Sequence, residues 1–299
     1  MTAHLQTQVA SAPVPQVGRS SLMTLQLDEL REVARLDFRL LPDLQSLLHD
    51  FARAAANEIK AQNAVGEPTR LILPVGPVGQ YPILIEICNR ERISWKNVYT
   101  FNMDEFLDWQ GRPLPLDHPF SFEGYMKREV FARLDPDLRI PEENCYFPHP
   151  FRVDEISEAI ERLGGVDCCF GGVGYHGHVA FNEPPISRWY TVPEEEFRAS
   201  RTRVLTVAPD SIVVQSIHTA GADSAAIPPM AVTLGMRDIL SSRRVRLYCA
   251  AGERQRAVFR IAVAGEVTTE YPVTLLQAHP DARVITTEAT AAPIEYGIR

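Results

Sequence analysis

Two short stretches of this chain hold side chains that could pass a proton to and from a small molecule. Asp104 and Glu105 stand side by side behind the apolar run Asn97 to Phe101. His176, His178, Asn182 and Glu183 crowd the end of a second run, V-D-C-C-F-G-G-V-G-Y-H-G-H-V-A-F-N-E-P, from Val166 to Pro184. A carboxylate at the tip of a strand can work as a general base, and an imidazole titrating near neutrality can take a proton and return it. The His-x-His pair with a carboxylate nearby is also a legitimate ligand set for zinc. Plainer readings stand beside these: Asp104 as the N-cap of the next segment, and the histidines as solvated members of a glycine-rich turn.

Such side chains work only if rigid elements bring them together. The apolar run after Val166 breaks into Gly171, Gly172 and Gly174 before it delivers the histidines. That form suits a strand buried on both faces, with a carboxyl end that a ligand can approach closely. In open α/β sheets ligands sit at that edge. A third stretch has similar form: a strand Leu71 to Leu73, then Pro74-Val75-Gly76-Pro77-Val78-Gly79, then a helix from about Tyr81 to Arg90. Strand, glycine turn and helix make half of a phosphate-type crossover. This copy is poor in donors, having no hydroxyl and no lysine, and Pro77 removes one backbone N–H.

Helical spacing fills Leu25 to Ala61, with Pro42 between two helices, and returns at Ser121 to Leu134 and Ile156 to Leu163. Further strands are expected at Thr202 to Val207, Ala231 to Leu234, Val245 to Ala250 and Arg283 to Thr287. Gly252-Glu253-Arg254-Gln255-Arg256 leads into a helix ending near Ala264, and Pro209 to Ala226 reads as a mobile flap. Strands alternating with helices, with no repeat or linker, predict one doubly wound, mostly parallel α/β domain over residues 23–299. Residues 1–22 show no sustained period and read as a mobile leader.

With 299 residues, 45% of them hydrophobic and 23% charged, the chain can build a sizeable core. The formal net charge of -8 argues against nucleic acid or anionic membrane as a partner. No apolar stretch is long enough to span a bilayer, and the N-terminus lacks the basic start and apolar centre of a secretion signal, so a cytoplasmic location is expected. The five cysteines show no Cys-x-x-Cys spacing and read as small core residues.

Several blocks, taken in order, carry a resemblance. They are V-Y-T-F-N-M-D-E-F (Val98 to Phe106), H-P-F-S-F (His118 to Phe122), G-G-V-G-x-x-G-H-V-A-F-N-E-P (Gly171 to Pro184), S-R-T-R (Ser200 to Arg203) and L-L-Q-A-H-P (Leu275 to Pro280). From about Leu71 to Thr287 the chain resembles glucosamine-6-phosphate deaminases. The related 6-phosphogluconolactonases share the glycine–histidine core but usually lack N-E-P, so a hydrolase of that kind ranks second, and a non-enzymatic sugar-binding or metal-binding relative third.

The resemblance implies a Rossmann-like, three-layer αβα sandwich and an aldose–ketose isomerase or deaminase acting on a sugar or sugar phosphate. It implies no cofactor and no metal, and, since members often form oligomers, a homo-oligomer. Asp104 would be the enolising base with Glu105 as support, and His178 the ring-opening acid/base oriented by Glu183. Substrate contacts would come from Gly76, Val78, Gly172, Gly174, Asn182, Arg254 and Arg256. Three departures from the family pattern stand out. His176 replaces an Asp of the ring-opening relay, Val75-Gly76-Pro77-Val78 replaces Thr-Gly-Gly-Thr, and Leu205 replaces the Lys of an allosteric site. They imply an altered sugar end, a phosphate that is absent or held by other groups, and no activation by N-acetylglucosamine 6-phosphate.

Overall fold

A computed structural model describes residues 18–297 apart from 186 and 188. Its strands are β1 (Asp37–Leu41), β2 (Thr69–Leu73), β3 (Val98–Asn102), β4 (Asp104–Leu107), β5 (Cys145–Tyr146), β6 (Cys168–Gly172), β7 (Arg203–Thr206), β8 (Met230–Thr233), β9 (Val245–Cys249) and β10 (Ala282–Thr287). Seven of them form one sheet in the order β1-β10-β9-β6-β2-β3-β5, with every pair parallel. The helices are α1 (Arg19–Thr24), α2 (Leu27–Val33), α3 (Leu44–Val65), α4 (Gln80–Glu91), α5 (Phe122–Tyr125), α6 (Asp154–Arg162), α7 (Glu194–Arg198), α8 (Pro209–Thr219), α9 (Met236–Leu240), α10 (Arg256–Ala264) and α11 (Glu288–Ala291).

Strand residues alternate between the two sides of the sheet, so a strand apolar throughout feeds two cores. Leu71, Leu73, Cys168, Phe170 and Tyr248 pack with Phe51, Ala55 and Ile59 of α3 and with Leu84 and Cys88 of α4. Ile72, Phe101, Cys169 and Leu247 face the other way, onto Ile156 and Ile160 of α6 and Phe259 and Ile261 of α10. Helices on both faces of a parallel sheet make the expected three-layer sandwich. Each buried Leu, Ile or Phe side chain contributes roughly 1.5–3 kcal/mol, so these two layers hold the strand ends in place.

Four expectations change. The helical reading of Leu25 to Ala61 hides β1, because a five-residue run such as D-F-R-L-L fits either period, and parallel pairing with β10 decides it. Asp43 then caps α3, its carboxylate accepting the Ser46 N–H at 2.7 Å. The end of the stretch read as a leader over 1–22 is folded: α1 begins at Arg19, Leu22 and Met23 are buried, and the buried Arg260 guanidinium donates to the Leu22 carbonyl at 2.9 Å. Residues 1–17 lie outside the described residues. The weakly patterned Pro209 to Ala226 contains a three-turn helix, α8, with proline at its first position.

The fourth change bears on the site. A second sheet, β4-β8-β7, is antiparallel, with Asp104 opposite Thr233 and Thr233 opposite Arg203. The chain leaves the parallel sheet at Met103, whose N–H donates to the Leu73 carbonyl and whose carbonyl accepts from Leu234 N–H. Asp104 and Glu105 therefore begin a strand rather than an exposed tip or a helix cap, and both are buried. Among the described residues no helix is long and apolar enough to cross a membrane.

Candidate active site

The segments that follow β2, β6 and β9 meet the start of β4 at the carboxyl edge of the parallel sheet. The segments after β2 and β6 leave neighbouring strands and turn in opposite directions, the arrangement that opens a crevice in such sheets. The crevice is a cleft of about 490 Å³, with Asp104, His178, Gly76, Gly172, Gly174 and Arg254 in its wall. It continues into a chamber of about 580 Å³ that shares Gly76, His218 and Arg254 and adds Val78, Phe120, Tyr125 and Val214.

His178 is packed against its own loop. A Cβ at Gly174 would lie 1.8 Å from His178 Nε2, so only glycine lets the ring take this position. Burial pushes the imidazole down to about 4, the nearby His176 acts in the same direction, and Asp210 opposes them. The ring is therefore neutral at pH 7 and free to accept a proton. Its Nδ1 is 3.6 Å from Glu183 Oε1, just beyond hydrogen-bond length, and both atoms are buried without a hydrogen-bond partner among the described residues. The other Glu183 oxygen, Oε2, accepts the Ala208 N–H at 2.6 Å. Burial raises the Glu183 carboxyl, opposed by the Ser211 hydroxyl and that N–H.

Asp104 and Glu105 are adjacent in a strand and point to opposite faces. Asp104 reaches the cleft, where burial and the Glu105 charge hold its carboxyl up at about 8. Glu105 turns away. Its Oε1 accepts N–H groups of Phe106 and Phe122 at 2.8 Å, and its Oε2 accepts the Glu123 N–H at 2.7 Å and the Ser121 hydroxyl at 3.3 Å. Burial pushes this carboxyl up to about 7 against those backbone donors. It is an anchor for the first turn of α5, with its charge beside Asp104 and its oxygens outside the cleft.

Gly76, Gly172, Gly174 and Arg254 line the cleft, and Val78 lines the adjoining chamber. Asn182 and Arg256 do not. Asn182 is fully buried, with Nδ2 donating to the carbonyls of Val179 and Leu234 and Oδ1 accepting from Arg203 at 2.8 Å, which fixes the turn after His178. Arg256 is turned onto the Ala289 carbonyl and Glu253. Two positions along a helical turn point Arg254 and Arg256 in different directions. His176 also stays out of the cleft, with Nε2 2.6 Å from Asp210 Oδ2 on α8. The zinc set read from the sequence is not assembled: among the described residues no group of three or more His, Cys, Asp and Glu could hold a metal ion.

The cleft also takes in Gln215 and His218, one helical turn apart on α8. Burial and the Arg254 charge both lower the His218 imidazole. His118 and His279 bond away from the cleft: His118 Nδ1 accepts the Phe120 N–H at 3.2 Å, His279 Nδ1 accepts the Asp281 N–H at 3.0 Å, and His279 Nε2 lies 2.8 Å from the Ser242 carbonyl. Arg201 and Arg203 line a separate cavity of about 530 Å³, which Glu183 reaches from its other side.

Comparison with known proteins finds relatives over most of the chain. No family model matches the chain. A glucosamine-6-phosphate deaminase of Phocaeicola vulgatus is 33% identical over 264 residues, covering 85% of this chain and 92% of the relative. One from Thermoanaerobacter pseudethanolicus is 30% identical over 253 residues, covering 82% and 91%. Among solved structures, a monomeric glucosamine-6-phosphate deaminase superposes with a TM-score of 0.72 at 25% identity, over 86% of this chain and 99% of the other. A 6-phosphogluconolactonase of Trypanosoma cruzi has a TM-score of 0.61 at 17% identity over 86% and 96%, a likeness of fold alone.

Proposed function

The chain belongs to the glucosamine-6-phosphate deaminase family, and from that premise we propose that it opens the ring of an amino-sugar phosphate, isomerises it and releases ammonia. What supports the reading is one cleft that holds a buried carboxyl, Asp104, and a buried neutral imidazole, His178, with the Glu183 carboxylate behind the ring. Neutral His178 takes the proton of the anomeric hydroxyl and returns it to the ring oxygen, and Glu183 stabilises the imidazolium that exists between the two steps.

Asp104 moves the proton between C2 and C1 of the opened sugar. It must be ionised to do so. A cationic amino group on C2 favours the carboxylate through opposite charge, so the substrate helps to prepare its own base. At the far end the phosphate is held by Arg254 and His218, which face the junction of the two chambers. The segment Val75 to Val78 brings no hydroxyl, so this grip is weaker than one with two further charge-assisted bonds, each worth about 1.5–3 kcal/mol.

The test is to incubate the protein with glucosamine 6-phosphate or glucosamine and measure ammonia and the ketose formed. Ammonia from the phosphorylated sugar, with kcat/KM at least about tenfold above that for glucosamine, is expected from one charge-assisted contact. Absence of ammonia from both sugars would overturn the reading.

A further inference from the structure

The imidazole two residues before His178 is a liability for a proton-accepting ring. His176 acts against a proton on His178, and so opposes the imidazolium that ring opening requires. The first turn of α8 adds its own partial positive charge to the same corner, since Ala208 N–H is bonded to Glu183 Oε2 at 2.6 Å. One group answers both. Asp210, in that first turn, sets its Oδ2 2.6 Å from His176 Nε2.

We propose that Asp210 is a positioning residue for the ring-opening step: it holds the His176 ring and supplies, from α8, the negative charge that the His178 loop lacks. The inference rests on the reaction proposed above. Two independent contacts support it. α8 grips the Glu183 carboxylate through Ala208 and grips His176 through Asp210, so a single helix turn sets both groups that flank His178. His176 Nδ1 is buried without a hydrogen-bond partner among the described residues, so Asp210 holds the ring by its other nitrogen. An anion is well placed there in its own right, because a carboxylate in the first turn of a helix is favoured by the helix dipole.

The experiment uses the full chain and glucosamine 6-phosphate, with ammonia release read as kcat and KM separately. Asp210→Asn keeps a hydrogen-bonding group and removes the charge, while Asp210→Ala removes both. Both are expected to lower kcat at least about tenfold with KM within about threefold, the pattern of a group needed after binding. The double variant His176→Asp with Asp210→Ala puts a carboxylate back beside His178 and leaves no pair between the two positions. It is expected to recover kcat to within about threefold of the parent, which a role confined to docking α8 would not give.

Wild-type kcat in Asp210→Asn overturns the inference, as does a double variant that melts like the parent and stays as slow as Asp210→Ala. If Asp210→Ala fails to fold, Asp210→Asn together with His176→Asp, Asp210→Asn carries the same comparison. A parent protein that releases no ammonia overturns the proposed reaction and this inference with it, whereas an active parent with an indifferent Asp210 overturns the inference alone.

Discussion

The two ends of the cleft are made of different material. At the reacting end, Asp104, His178 and Glu183 are charged or chargeable groups taken out of water, and burial sets their protonation: Asp104 up to about 8, His178 down to about 4, Glu183 raised. At the far end the walls are Val75, Pro77, Val78, Phe120, Tyr125 and Val214, charge enters through Arg254 from the turn before α10, and His218 of α8 adds an imidazole that burial and Arg254 keep toward its neutral form. The first end is rigid and electrostatically tense. The second is apolar and borrows its cation, Arg254, from the turn before α10. On the proposed reaction, proton chemistry and substrate grip are therefore separable, and variants on the two sides should divide cleanly between kcat and KM.

The largest effect belongs to Asp104. Asp104→Asn keeps size and burial but cannot accept the C2 proton, so kcat should fall about a thousandfold, within the range for a lost general base, with KM and melting temperature little changed. Turnover within tenfold of the parent would remove Asp104 from the mechanism. Its neighbour should behave in the opposite way. Glu105→Ala strips the acceptor from the N–H groups of Phe106, Phe122 and Glu123 and should cost about 3 kcal/mol of stability by leaving buried donors unpaired. The folded fraction should keep kcat within about twofold. A large loss of kcat at unchanged melting temperature would return Glu105 to the reacting end.

This pair shows how far the sequence could be read. The apolar runs that became β2, β3, β6 and β9 were legible, with the glycines at their ends, and so was the joint exposure of Asp104 and His178 to one cleft. The side of Glu105 was not. Two adjacent carboxylates look alike until a strand assigns them to opposite faces, and N-M-D-E gave no sign that the chain changes sheets at Met103. The same limit hid Arg256 from Arg254, whose difference is a helical rotation, and made Asn182 a candidate ligand although its amide is spent on Val179 and Leu234. Asp210 escaped notice because its partner lies 34 positions back, at His176, and only docking of α8 brings them together.

Arg254→Ala tests the far end. Losing one charge-assisted contact to phosphate should cost about 2 kcal/mol, a rise in KM of about thirtyfold for glucosamine 6-phosphate with kcat held within a few-fold. For glucosamine the KM should not move. An equal rise for both sugars would mean that Arg254 shapes the cleft without holding an anion. A smaller effect returns to the reacting end and needs no variant. With the Asp104 carboxyl at about 8 and its ionised form active, kcat/KM should rise about tenfold from pH 7 to pH 9 and flatten above. Neutral His178 is already in its working form across that interval, so it adds no falling limb there. A profile flat from pH 7 to 9 would mean that water or another charge reaches Asp104 and undoes the effect of burial.

The smallest change adds a donor where the far end has none. Val78 is half exposed and lines the outer chamber, so Val78→Thr leaves the new hydroxyl hydrated, should change stability by no more than about 0.5 kcal/mol, and presents a hydroxyl to an anion. A new hydrogen bond to a charged acceptor could be worth up to about 3 kcal/mol, but ordering a solvent-facing side chain offsets part of it, which leaves about 1 kcal/mol. KM for glucosamine 6-phosphate should then fall about fivefold while kcat and the KM for glucosamine stay put. If KM for the phosphorylated sugar instead rises, the apolar wall itself is what the substrate contacts, and the separation between a proton-handling end and a borrowed-cation end would have to be redrawn with Val78 on the recognition surface.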